Sequence, residues 1–246
     1  MINQHDRRYM QIEARFIRDD LHQMENAPNY NKWLYSLVEP YLGKRILEIG
    51  PGIGNISRQI INCADLLIGV EPNQYCNDYL RNLFSGSPKF ELIEKSIENC
   101  STDELRVYDF DTIVCMNVLE HIENDVSILS AFEQILYPGG RVVILVPAIP
   151  QAFGPIDKAV GHFRRYTKAS MKKAIGSTSL ELERMFYSNF VGLLGWLYNA
   201  RIRKLTSQND AQIKLFNKIV PVVSFLEKRL GCPVGQSLVS ISRVKE

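Results

Sequence analysis

From residue 45 onward, short apolar runs alternate with segments whose apolar residues recur every three or four positions. RILEIG (45–50) predicts a strand, ISRQIINCA (56–64) a helix and LLIGVEP (66–72) a second strand. CNDYLRNLF (76–84) continues as a helix and FELIEKS (90–96) as a third strand. FDTIVCMNVLEH (110–121) predicts a fourth strand running into a loop. DVSILSAFEQIL (125–136) has helical spacing closed by the breaker PGG, and RVVILVPA (141–148) is β-branched enough for a strand buried on both faces. Such alternation predicts an α/β fold, a Rossmann-like and mostly parallel sheet with helices on both faces.

The ends depart from this rhythm. Residues 1–40 read as a helical lid over the sheet's edge or its ligand mouth, and residues 41–246 as the main domain. After LELERMFYS (180–188) comes a helix-rich insert at about 190–230, and GQSLVSISRV (235–244) returns as a final strand. A late strand reached through such an excursion suits an antiparallel hairpin closing an otherwise parallel sheet. Within the insert, AQIKLFNKIVPVVSFLEKRL is apolar on one face and basic on the other. Pro221 is expected to break a long interfacial helix there, which favours a pocket cover over a membrane-surface element.

The composition narrows the class. Lys plus Arg number 29 against 27 for Asp plus Glu, which gives no general cationic surface for nucleic acid. Cys63, Cys76, Cys100, Cys115 and Cys232 are scattered and odd in number, which predicts free thiols in a reducing compartment and offers no CxxC metal pair. The first residues lack a signal-peptide core, and FVGLLGWLYNA (190–200) is too short to span a bilayer. The expectation is a cytoplasmic protein, monomer or homodimer, without integral membrane association.

The chemistry concentrates behind the first predicted strand. In RILEIGPGIGN (45–55), Gly50, Gly52 and Gly54 give up three side chains, and Glu48 puts a carboxylate into an apolar run. Glycine admits positive φ and lets a ligand approach the backbone closely. A dinucleotide fingerprint would need glycine where Asn55 stands. Glu71 closes the second strand, placed to accept the two hydroxyls of an adenosine ribose. A pyrophosphate would be repelled by Glu48, whereas S-adenosylmethionine brings an ammonium and a sulfonium that favour it. An NAD-dependent oxidoreductase is therefore the distant alternative.

ILEIGPGIG, GVEPN, the acid–His pair in NVLEHI, and LYPGGRVVILVP together resemble the ordered motifs of the class I S-adenosylmethionine-dependent methyltransferases, over about residues 45–150. The resemblance implies a seven-stranded sheet with its last strand antiparallel, S-adenosylmethionine as cofactor, S-adenosylhomocysteine as product, and no metal. It implies that Gly50, Gly52 and Gly54 pass under the methionine part, with Glu48 nearby. Glu71, followed by Pro72, would hold the ribose. Ser96 and Ile97 would flank the adenine, and Asn117 would offer its backbone near the methionine. SIEN departs from the Asp-plus-small-residue pair common at that adenine site.

GHFRRYT (161–167) follows the fifth strand by about a dozen residues, so it lies over the mouth of the site. It resembles a GHxRRYT segment of bacterial class I methyltransferases of unassigned or natural-product type. His162, Arg164, Arg165 and Tyr166 predict an anion-binding wall, because the guanidinium fork matches carboxylate or phosphate. His121 and His162 are the candidate catalytic bases, and Tyr9 beside Arg7 and Arg8 is a candidate substrate contact. The main expectation is O-methylation of an anionic small molecule or peptide of specialised metabolism. The alternative is N- or O-methylation of a sugar, lipid or quinone-type acceptor.

Overall fold

The computed structural model describes residues 22–199 and 210–245. Its centre is one sheet of seven strands, β1 (Arg45–Ile49), β2 (Leu66–Val70), β3 (Phe90–Ile93), β4 (Thr112–Met116), β5 (Arg141–Pro147), β6 (Glu181–Ser188) and β7 (Ser237–Arg243). Their order across the sheet is β3-β2-β1-β4-β5-β7-β6. The first five are parallel, and β7 inserts antiparallel between β5 and β6. The predicted hairpin thus forms as β6 and β7, while β7 also covers the free edge of β5 and shields its ladder.

Alternation along the strands sends side chains to two packed faces. In β1, Ile46 packs with Ile60, Leu67 and Val114 on one face. Leu47 and Ile49 join Ile68, Phe110, Ile113, Phe132 and Ile144 on the other. Period-two geometry puts Glu48 on the Ile46 face. There it is in register with Gly69 of β2 and Val114 of β4 and is 5% exposed. The strand order reverses between β1 and β4, so a crevice opens beyond their carboxyl ends, where parallel sheets take their ligands.

The predicted helix at 56–64 is shorter in the structure, Ser57–Ile60. β-Branched Ile60 and Ile61 followed by Asn62 support helix poorly, and the chain turns instead. Gln74–Leu83 is firmly started, because the Asn73 side chain accepts from the N–H groups of Tyr75 and Cys76.

Of the expected lid, helix Pro28–Val38 packs through Leu34 on Leu145, Val239 and Ile241. The insert supplies helices Phe190–Leu197 and Asp210–Leu230. Here the structure corrects the expectation about Pro221, for the second helix runs through it unbroken. Proline cannot donate to the carbonyl four residues back, at Asn217. The Asn29 side chain donates to that carbonyl instead, at 3.0 Å, and the Asn217 side chain accepts from the Tyr30 N–H at 3.1 Å. Docking on Pro28–Val38 thus replaces the hydrogen bond that proline removes. No helix among the described residues is long and apolar enough to cross a membrane.

Candidate active site

A cavity of about 500 Å³ opens at the carboxyl ends of β1, β2 and β4. The loop after β1 forms its floor. Gly50 has φ +64°, and a Cβ there would stand 2.5 Å from the Val118 side chain. Gly52, with φ +57°, also lines the cavity. Gly54 does not. A Cβ on Gly54 would fall 2.6 Å from Leu83, so its absence serves packing against helix Gln74–Leu83 rather than a ligand.

Two carboxylates face this floor. Glu71 accepts hydrogen bonds from the N–H groups of Gly52 at 3.0 Å and Asn73 at 2.9 Å. It thereby ties the loop to the end of β2, and burial pushes its pKa up despite those bonds. Glu48 has one carboxylate oxygen buried without a hydrogen-bond partner. Burial, reinforced by the charge of Glu71 and opposed by Ser57, pushes its pKa up to about 7. A buried acid in this state lacks a cationic partner. Pro72 and Asn117 line the same space, Asn117 with φ +54°. Ser96 and Ile97 stand apart from the cavity lining, and Ile97 is buried in the core.

The other end of the cavity is built from two loops stitched together. The Phe163 N–H donates to the carbonyl of Glu120, joining the turn after β4 to the GHFRRYT segment. That segment also bridges to the end of β5, with the Tyr166 N–H on the carbonyl of Pro147. The result brings Glu120, His121, His162 and Arg165 to one wall. The imidazoles of His121 and His162 meet edge to face, with centroids 4.7 Å apart. His121 is open to the cavity on one side. Desolvation on the other, then the proximity of His162, pushes its pKa down to about 4.

Asp157 organises this wall from behind. It is fully buried and accepts from His162 Nδ1 at 2.9 Å, from Arg165 Nε at 2.7 Å and from the Gly154 N–H at 2.8 Å. Burial opposes its ionisation, but the hydrogen bonds of His162 and Arg165 and the charge of Arg165 hold its pKa below the usual value. An ionised carboxylate can only accept, so Nδ1 of His162 is the donor to Asp157, and Nε2 is the nitrogen on the Glu120 side. Arg165 spends a further donor on the carbonyl of Ala148 at 3.1 Å and lies over the Trp196 ring at 4.5 Å. Glu120 is fully buried with neither carboxylate oxygen hydrogen-bonded, and burial pushes its pKa up to about 8.

The predicted anion wall is corrected by these contacts. Arg164 turns away to the carbonyl of Glu123 at 2.6 Å and to Asp125 at 3.0 Å. Tyr166 is buried, and its hydroxyl donates to Asp125 at 2.8 Å. Neither lines the cavity; of the two arginines, only Arg165 does. Tyr9 lies outside the described residues. Sequence reasoning missed Glu120, Asp157 and Trp196 as site residues. The available signal was the acid in LEH, flanked by apolar Leu119, and a second acid five residues ahead of His162.

The family model described as a methyltransferase domain matches residues 5–184. Among curated relatives, the ubiquinone biosynthesis O-methyltransferase of Aromatoleum aromaticum is 30% identical over 101 residues, 41% of this chain and 42% of that protein. The Paracidovorax citrulli protein of the same name is 27% identical over 55% of each chain. The chain thus spans about half the length of the curated relatives it matches. Of solved structures, the N-methyltransferase NodS from Bradyrhizobium japonicum WM9, bound to S-adenosyl-L-homocysteine, superposes with a TM-score of 0.62 at 14% identity, over 97% of this chain and 98% of that one. An S-adenosylmethionine-dependent methyltransferase from Mesorhizobium loti gives a TM-score of 0.58 at 14% identity, over 85% and 96%. With its glycine floor, paired carboxylates and seven-stranded sheet, the chain belongs to the methyltransferase-domain family and has the class I, S-adenosylmethionine-dependent fold.

Proposed function

We propose that this protein O-methylates a hydroxyl group of a small acceptor with an apolar body, using S-adenosylmethionine. The site fits that cofactor on its own terms. Glu48 has a buried oxygen lacking a partner, suited to an ammonium. Gly50 and Gly52 leave the floor without side chains, and Glu71 faces the same space. When bound, the cofactor supplies an electrophilic methyl group on a sulfonium.

The observation that carries the acceptor reading is the Glu120–His121–His162 wall in the same cavity as the glycine loop. A hydroxyl must lose its proton to become a good nucleophile, whereas a carboxylate is already ionised at pH 7. The wall offers imidazole nitrogen where that activation is needed. An anionic acceptor is less well served, because Arg164 is engaged elsewhere and Arg165 is already matched by Asp157. Met24, Leu34, Ile56, Val160 and Trp196 provide apolar lining for the acceptor body. The curated relatives, named for O-methylation in ubiquinone biosynthesis, support a phenol or quinol class of acceptor.

The test is S-adenosylhomocysteine formation with a panel of catechols, alkylated phenols and matched carboxylic acids. The expected result is turnover of the hydroxylated compounds, reduced about 10²–10⁴-fold by His162→Ala. Methyl-ester formation on the acids with no reaction at hydroxyls would overturn the reading.

A further inference from the structure

Glu120, His121 and His162 each offer one ligand atom, and those atoms all lie within 4.8 Å of one another. His162 Nε2 is 3.8 Å from Glu120 Oε1. Ligands tied to one ion at about 2.1 Å stand roughly 3–3.5 Å apart, so a contraction of about an ångström would close the set. We propose that these three residues hold a divalent first-row transition cation, with open positions facing the cavity. The inference rests on the hydroxyl-acceptor reading and moves the activation from a free imidazole to the ion, since an open position would take the acceptor oxygen and acidify its hydroxyl.

Three observations make this a built site rather than a chance cluster. Glu120 is fully buried with both oxygens unpartnered. The guanidinium nearby makes no hydrogen bond to it, because Arg165 gives its hydrogen bonds to Asp157 and to the Ala148 carbonyl. A buried carboxylate without hydrogen-bond partners on the wall of a cavity is costly alone and suited to a cation. Next, His162 has the support that metal-binding imidazoles have. Its Nδ1 hydrogen bond to Asp157 fixes the ring and aims Nε2 at the cluster. Finally, the charges agree. Two carboxyl groups, Glu120 and Asp157, stand with a single guanidinium, that of Arg165, so the cluster has one acid more than it has cations.

Donor chemistry selects the class of ion. Two imidazoles and one carboxylate suit zinc, iron, cobalt or manganese, and suit magnesium poorly, since magnesium prefers oxygen ligands throughout. Three protein ligands with remaining positions open are the arrangement of a catalytic site rather than of a closed structural one.

The experiment uses the full chain, free of affinity tags and stripped with a chelator. Co²⁺ is titrated in while its visible d–d absorption is followed, and Zn²⁺ and Mn²⁺ binding is measured by calorimetry. S-adenosylhomocysteine binding is measured on every sample as the check of folding. One ion per chain is expected. His121→Ala, His162→Ala and Glu120→Gln should each weaken it by at least about tenfold, and Asp157→Asn by about 10–100-fold, with S-adenosylhomocysteine binding retained. His121 is open to the cavity and its removal leaves the fold least disturbed, so this variant decides should Glu120→Gln fail to fold. Co²⁺ that gives no ligand-field spectrum with the wild-type chain, or binds equally well after His121→Ala, would overturn the proposal. A chain that binds S-adenosylhomocysteine but takes up no metal would leave the methyltransferase reading standing and remove the ion. Metal binding without S-adenosylhomocysteine would do the reverse.

Discussion

Glu48 allows the ligand of the glycine loop to be identified by counting protons. Raising its pKa from 4.5 to about 7 makes the ionised form cost about 3 kcal/mol in the free protein, at about 1.4 kcal/mol per pH unit. Between those two pH values the native state holds a proton that the unfolded chain has lost, so this group lowers fold stability as pH rises through the window. An ammonium bound beside it favours the carboxylate and expels the proton. With Glu48 half protonated at pH 7 when free and ionised when bound, about half a proton should leave per ligand, rising to about 0.9 at pH 6 and falling to about 0.1 at pH 8. S-adenosylhomocysteine retains the ammonium and is the probe. Its affinity should rise with pH up to about 7 and then level off. Calorimetry in buffers of different ionisation enthalpy reads the proton number directly. Glu48→Gln should release none and lose the pH dependence. Proton release that is zero in the wild type, or undiminished in Glu48→Gln, would refute the assignment of Glu48 to the ammonium.

Two further outcomes test the loop. Gly50→Ala should destabilise the fold by about 1–3 kcal/mol in urea denaturation, from its left-handed φ and its collision with Val118, and Val118→Ala in the same chain should recover only the collision; an unchanged midpoint in the single variant would show that the loop tolerates the side chain. Glu71→Ala leaves the N–H groups of Gly52 and Asn73 without their acceptor and should weaken S-adenosylhomocysteine binding by about 1.5–3 kcal/mol. A loss confined to turnover would contradict its place at the cofactor.

The sheet and the glycine floor of the cavity were legible because periodicity and glycine spacing are local signals. Gly50 and Gly52 are where RILEIGPGIG places them. Gly54 belongs to the same pattern yet serves Leu83, since sequence spacing does not say which neighbour a missing Cβ accommodates. The arginine pair in GHFRRYT was visible, but its division was not. Arg165 faces the cavity and Arg164 faces Asp125 only because the segment bridges to β5, a contact made across the fold. Asp157 was hidden for the same reason, as its three hydrogen bonds come from loop partners that the backbone must first bring together. Pro221 misled because its consequence depends on Asn29, far away in the chain.

Because Ser237–Arg243 lies between β5 and β6, a growing chain that has reached residue 236 still has two of its seven strands, β6 and β7, to join to the sheet. The outer edge of β5, with apolar Val142, Val143, Ile144, Leu145 and Val146, has no pairing partner until then, and β6 has none at all. Such an edge invites association with other chains during synthesis. Gln236 and Ser237 also line the cavity, so the pocket is completed by the same residues that seal the edge. The step that seals this edge therefore also adds the last residues of the cavity lining.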